Sequence, residues 1–236
     1  MDAGELRFER DGAEIISGAV LLSELAAVGE AFEGGPAARP GRRSIGVESG
    51  VASLVGPEGA MGQAAQRFAA LHDTMRPVRI VLFDKTPERN WAVAWHQDRT
   101  IAVAERRDVA GFIHWNRKDG VDHVEPPVEL LSRMLTLRLH LDPTGSDNGA
   151  LDIVPGSHRL GRVSEADMAD AVASAAQVAC EAEAGDILAM RLTTIHKSER
   201  AAAPRRRRVL HVDYSPDQLP APLEWRLALW ERQQPR

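Results

Sequence analysis

A mainly β fold carried on N-terminal helices is what this sequence predicts, and three observations lead to it. Helical periodicity concentrates near the start, where Leu21, Leu25, Val28 and Phe32 recur at helical spacing. From residue 78 onward, short strand-like runs separated by Pro, Gly, Asn and Asp take over. A length of 236 residues, 44% hydrophobic and 27% charged, suits one undivided β barrel or sandwich with a large core. Helices first and many strands afterwards point to a helix-supported β barrel. The expected organisation is a single domain over 1–236, with helical support at about 17–75 and the β core at about 78–215.

Residues 13–16 read as a short strand, and the Leu21–Phe32 stripe as a helix ended by Gly34-Gly35. Gly, Pro and Arg mark 34–46 as a loop. A second helix is expected over about 61–73, with Ala65, Phe68 and Leu71 inward and Pro77 just beyond. Strands follow at 78–83 and 92–96. The polar stretch 104–127, holding His114, Trp115, His123 and Pro126-Pro127, reads as a long loop, and loops of that length are usually functional. In the strand at 134–141, Thr136, Arg138 and His140 face one way and Leu135, Leu137, Leu139 and Leu141 the other. A turn cluster spans 142–149, and a strand 151–154. Ser164 and Asp167 resemble a capping box opening an Ala-rich helix at about 165–175. Strands at 186–196 and 207–214 and a Pro-rich tail, with a short segment around Trp225 to Trp230, complete the chain.

Net charge is −5, with none of the interleaved basic and aromatic residues of a nucleic-acid surface. Cys180 is the only cysteine, so no intrachain disulfide forms. No apolar run approaches the ~20 residues that span a bilayer, and the N-terminus lacks a signal-like apolar stretch. A cytoplasmic protein acting on a small molecule, without nucleic-acid or membrane partners, is the expectation.

His96-Gln97-Asp98, read with His196, carries the chemistry. Residues i and i+2 of a strand share a face, so His96 and Asp98 are able to hold one ion together. Two imidazoles and one carboxylate form the facial triad of non-haem Fe(II) oxygenases. Zinc accepts the same ligands. Arg207, eleven residues after His196, tips the balance to iron with an acidic co-substrate, because a guanidinium grips a carboxylate bidentately. Alternation puts Arg207, Val209, His211 and Asp213 on one face but does not separate Arg207 from Arg205 within the Arg205–Arg208 run. Arg138, central in a Leu-rich strand, needs an anion unless that strand is an edge with this face outward. A structural carboxylate and an acidic ligand are equally good partners. Lys85 is able to reach the co-substrate but reads more readily as a surface lysine, His211 as a hydrogen-bonded core histidine, and His158 as part of a structural turn. Trp115 and His123 are candidate substrate contacts on a gating loop over the metal; a mobile surface loop explains them nearly as well.

Several stretches resemble the phytanoyl-CoA dioxygenase family over nearly the whole length. They are Phe8 to Ala13, Phe83-Asp84-Lys85-Thr86-Pro87, Trp95-His96-Gln97-Asp98, Asn148 to Leu151, Pro155-Gly156-Ser157-His158, Gly185-Asp186, and His196-Lys197-Ser198 followed by Arg207 and Arg208. The resemblance implies a double-stranded β-helix, a jelly-roll or cupin-like barrel. It implies Fe(II) on His96, Asp98 and His196, and 2-oxoglutarate anchored by Arg207 with help from Ser198; Arg138 is a further candidate. The implied reaction uses O2 to hydroxylate an unactivated C–H bond of a lipid-like or natural-product metabolite, releasing succinate and CO2. Asp98 fills the position that a metal-bound halide would need, which favours hydroxylation over halogenation. A noncatalytic jelly roll binding metal or a small ligand is the alternative. One departure stands out: many members carry Asn five residues after the distal His, where this chain has Ala201.

Overall fold

The computed structural model describes residues 2–33, 41–43 and 49–227. Gly34-Gly35, most of the 34–46 loop and the tail beyond 227 lie outside the described residues. In chain order come α1 (Phe8–Asp11), β1 (Ala13–Ile16), α2 (Leu22–Glu33), α3 (Ser49–Val55) and α4 (Ala60–Arg67). Next are β2 (Arg76–Lys85), β3 (Val93–His96), β4 (Ile101–Val103), β5 (Ile113–Lys118), β6 (Val121–Glu125), α5 (Val128–Arg133) and β7 (Leu135–His140). Then follow β8 (Leu151–Ile153), α6 (Met168–Ala173), β9 (Val178–Cys180), β10 (Ile187–Arg191), β11 (His196–Ser198) and β12 (Arg207–Ser215).

Two antiparallel sheets face each other, a major one ordered β1-β10-β7-β12-β2 and a minor one ordered β3-β11-β8-β9. This is the jelly-roll expectation realised. Alternation decides what each face of the major sheet meets. Leu135, Leu137, Leu139, Ile187, Ala189, Ile80, Leu82, Leu210, Val212 and Tyr214 face the helices and form one buried cluster with Leu25, Val28, Phe32, Val51, Leu54 and Met61. The Tyr214 hydroxyl donates to the Val55 carbonyl at 2.9 Å, tying α3 to β12.

Opposite residues of paired strands share a face. The interior row therefore carries Arg79, Val81, Phe83 and Lys85 of β2, Arg207, Val209, His211 and Asp213 of β12, and Arg138 and His140 of β7. The interior is divided. Toward β10, Leu188 and Met190 pack on Leu151, Ile153, Val178 and Cys180 in an apolar plug. Toward β2 and β3 the interior is polar, and the candidate site lies there.

Three expectations are corrected. The helix expected to reach 73 stops at Arg67, and Leu71 is 86% exposed. Gln66 explains the stop: its side chain donates to the Asp73 carbonyl at 2.8 Å and accepts from the Met75 amide at 3.1 Å, turning the chain back. Leu21 precedes its helix and is exposed, with its amide donating to Glu24. The region 104–127 is not one long loop: β5 and β6 make a hairpin that joins β4 in a third sheet. One face of that sheet places Ile101, Val103 and Val124 on Phe112, Leu131, Met134 and Trp225.

Candidate metal and co-substrate site

β3 runs antiparallel to β11 with His96 directly opposite His196, and the ring centroids lie 4.2 Å apart. Each imidazole is oriented by the carbonyl two residues before it: His96 Nδ1 meets the Ala94 carbonyl at 2.8 Å, and His196 Nδ1 meets that of Thr194 at 2.9 Å. A carbonyl only accepts, so both Nδ1 atoms carry the proton and both Nε2 lone pairs are free for a metal. β3 ends at His96, and Asp98 lies just beyond, with its amide donating to the Leu192 carbonyl at 3.1 Å. Its carboxylate still reaches 3.9 Å from His196 Nε2. The three residues offer ligand atoms within 4.8 Å of one another, a spacing that fits one ion. Gln97 points the other way and is locked by bonds to Gly161, Thr193 and Val163.

Protonation states match ligand duty. Burial, helped by His96, pushes His196 down to about 3, so it is neutral near pH 7. Burial would raise Asp98, but His196 and Arg79 hold it below the usual carboxylate range. With His196 neutral at that pH, Arg79 is the partner that keeps Asp98 ionised.

Across the interior, Lys85 and Arg207 are directly opposed on β2 and β12, a like-charge pair that is unfavourable by itself. Lys85 is buried, contrary to the surface reading, and donates to the Trp91 carbonyl at 2.7 Å and Ser198 Oγ at 3.0 Å. Ser198 Oγ in turn donates to the Gly149 carbonyl, which Arg207 Nη1 also reaches. Gly149 is held at φ 72°, and a Cβ there would sit 2.9 Å from the Glu199 carbonyl, so glycine is what lets this carbonyl approach. Arg138 Nη1 donates to His211 Nδ1 at 3.0 Å, leaving His211 Nε2–H to donate to Asp213 at 2.9 Å. His211 is thus a hydrogen-bonded core histidine.

Among the described residues no carboxylate is bonded to Lys85, Arg138 or Arg207. Arg138 Nε, Arg207 Nε and His140 Nε2 are buried without partners. Burial, with Arg207 and Arg138 nearby, lowers Lys85 to about 7. Burial likewise lowers Arg207 to about 10 and His140 to about 3. The other arginines of the run are paired: Arg205 with Asp147, Arg206 with Asp84 and Glu33, Arg208 with Asp142. A buried, unneutralised cation cluster fits an anionic ligand.

The remaining expected residues separate. His123 is fully buried, with Nδ1 on the Val121 carbonyl at 3.0 Å and Nε2 unpartnered. Trp115 packs on the apolar cluster of the third sheet, the face away from His123, with the Arg106 guanidinium 5.3 Å from its ring. The two therefore lie on opposite faces of the third sheet. At Ala201, where the family often has Asn, the backbone is held by another amide: Asn90 donates to its carbonyl at 2.9 Å and accepts from its N–H at 2.8 Å. The turn at Pro155–His158 is structural, with Ser157 Oγ accepting from the Ile195 amide one residue before His196.

A family model, phytanoyl-CoA dioxygenase, matches residues 8–209. The chain belongs to the phytanoyl-CoA dioxygenase family. No match is found among curated proteins. Solved structures share the family fold at low identity. EvdMO1 aligns with TM-score 0.63 and 19% identity over 89% of this chain and 48% of its own, so this chain spans about half its length. The epimerase SnoN, in complex with Fe3+, alpha ketoglutarate and nogalamycin RO, aligns with TM-score 0.63 and 17% identity over 92% and 88% of the two chains. HygX from Streptomyces hygroscopicus, with nickel and 2-oxoglutarate bound, gives TM-score 0.60 and 16% identity over 89% and 84%. Among the described residues, no helix is long and apolar enough to cross a membrane.

Proposed function

We propose that this chain is an Fe(II)- and 2-oxoglutarate-dependent dioxygenase that hydroxylates a C–H bond of a small molecule. The observation that carries the reading is the spacing between two half-sites. Ser198, which bridges Lys85 and the Gly149 carbonyl, lies two residues beyond His196 in β11. Two strand residues span roughly 7 Å. A five-carbon diacid with its 2-oxo end at the metal therefore brings its far carboxylate to Lys85 and Arg207.

When bound, iron and 2-oxoglutarate supply the oxidising chemistry, consuming O2 and releasing succinate and CO2. The chain's own part is binding and orientation. Ala94 and Thr194 carbonyls aim the two imidazoles, Arg79 keeps Asp98 anionic, and Lys85 and Arg207 take the distal carboxylate with Ser198 beside them. Arg138, held by His211, adds a third cation within reach. The apolar plug and the packed third sheet limit water around these groups.

The test is succinate formation from 2-oxoglutarate with Fe(II) and O2. His196→Ala should abolish stoichiometric Fe(II) binding and succinate release while leaving the circular dichroism spectrum unchanged. Undiminished turnover in that variant removes the metal assignment. Tight co-substrate binding with no succinate under any condition would favour the noncatalytic alternative.

A further inference from the structure

The interior row has a second basic end that 2-oxoglutarate does not reach. Residues 41–43 pair with the β2 edge through Arg42 and Leu82, with backbone bonds of 2.9 and 3.0 Å. A Cβ at Gly41 would lie 2.9 Å from the Phe83 ring and 3.2 Å from Val81, so Gly41 and Arg43 project into the interior. Arg43 thus stands beside Val81, next in the row to Arg79. Its Nη1 is 3.6 Å from Asp119 Oδ2, a loose pair, and its Nε is buried without a partner.

Lys118 and His123 come to the same place from the β5–β6 hairpin. Lys118 pairs with Val121, and Asn116 with His123, so all four share one face. The Lys118 ammonium has no hydrogen bond or ion pair among the described residues, and the side chain is exposed, at the rim. His123 is fully buried, and its unpartnered Nε2 carries a lone pair because Nδ1 donates to Val121. Burial lowers Lys118, with Arg43 and Arg79 adding to the effect, and Asp98 acts on both Arg43 and Lys118 in the opposite sense. The cluster therefore stands within electrostatic reach of the triad.

Arg79 is already committed to Asp213 at 2.5 Å, and Arg43 is partly balanced by Asp119. Lys118 is not balanced. Length keeps the distal carboxylate of the co-substrate, held at Lys85, away from this end. On β2, Val81 lies four residues from Lys85 and Arg79 six, roughly 13 and 20 Å. A five-carbon diacid spans only roughly 7 Å at ~1.5 Å per bond.

We propose that Arg43 and Lys118 bind an anionic group of the substrate, a carboxylate or a phosphate, while His123 Nε2 accepts a hydrogen bond from a hydroxyl or N–H on the same molecule. The substrate is then a small polar acid rather than a neutral lipid, drawn in by the exposed Lys118. This rests on the dioxygenase reading above, which fixes where the co-substrate lies.

The test uses protein loaded with paramagnetic Co(II) and saturated with 2-oxoglutarate, its binding confirmed by calorimetry. Inorganic phosphate and, separately, acetate are titrated in while relaxation of their phosphorus and methyl-proton nuclei is followed. At least one anion should show metal-enhanced relaxation, and the tighter one assigns phosphate or carboxylate. Arg43→Ala and Lys118→Ala should each weaken it roughly fivefold, the effect of about 1 kcal/mol for a partly exposed charge; Arg205→Ala should not. Enhancement that survives both variants overturns the proposal, as does enhancement seen only without 2-oxoglutarate, or none for either anion. Failure of 2-oxoglutarate itself to bind would instead bring down the dioxygenase reading, and this inference with it.

Discussion

At Arg207 the difference from its neighbours is one of counter-ions. Arg205, Arg206 and Arg208 each hold a carboxylate at the surface, whereas Arg207 is buried against a carbonyl and opposed by another cation. Arg207→Ala should raise the 2-oxoglutarate requirement roughly a hundredfold, as expected for a buried charged partner worth a few kcal/mol. Arg205→Ala should leave it within a factor of about two, since an exposed pair contributes little. Equal effects in the two variants would show that the run acts as a diffuse patch. Lys85 adds a pH signature. Burial and the neighbouring guanidinium groups bring its ammonium down to about 7, so it is charged below that pH and increasingly neutral above it. Both carboxylates of the co-substrate stay ionised throughout. Calorimetric affinity for 2-oxoglutarate should therefore rise as pH falls from about 8.5 to about 6, and Lys85→Met should flatten the trend. Alternation in the sequence put Arg207 on the right face. It could not reveal Lys85 as buried, because that depends on the register between β2 and β12.

The hairpin β5–β6 shows what an element-scale signal looks like when polarity hides it. Its outward residues are charged, so the stretch has the composition of a loop. Asp119-Gly120 nevertheless stands between Lys118 and Val121, paired across the turn, with φ of 52° and 76°. That is the two-residue turn an Asp-Gly pair favours between strands, and it was legible in the sequence. Gly120→Val should destabilise the protein by about 1–2 kcal/mol, the cost of a left-handed conformation for a side-chain-bearing residue, read as a lower urea midpoint. An unchanged midpoint would mean the turn is not formed as described. Hydrogen exchange should find the amides of this hairpin protected before any substrate is added, unlike those of a loop that orders on binding. The end of α4 was less accessible. Phe68 and Leu71 continue the helical spacing, and only the tertiary contacts of Gln66 with Asp73 and Met75 break it.

Across the whole molecule, the sandwich fills one half of its interior with apolar side chains and leaves the other half charged. The Leu135, Leu137 and Leu139 stripe was readable from alternation alone, and the helix-supported β class from the order of elements, whereas the jelly-roll class came from the family resemblance. The grouping of Lys85, Arg138 and Arg207 was not, because three separate strands bring them together. Such a grouping works against stability until an anion arrives. Lys85 makes the cost pH-dependent: its pKa falls from the ordinary 10.5 to about 7 on folding, so the folded state loses stability as pH drops from about 10.5 to about 7 and gains no further penalty below that. Replacing Arg207 with Met removes one of the charges that depress Lys85 and sacrifices one hydrogen bond to Gly149. The ligand-free variant should therefore be more stable than the parent protein by an amount on the order of 1 kcal/mol, seen as a higher melting temperature, and the gain should be larger at pH 6 than at pH 10. Adding 2-oxoglutarate should raise the melting temperature of the parent strongly, by mass action on the folded state, and that of Arg207→Met hardly at all. A variant that melts lower at both pH values, or that keeps its response to 2-oxoglutarate, would place the counter-charge of this cluster somewhere other than the co-substrate.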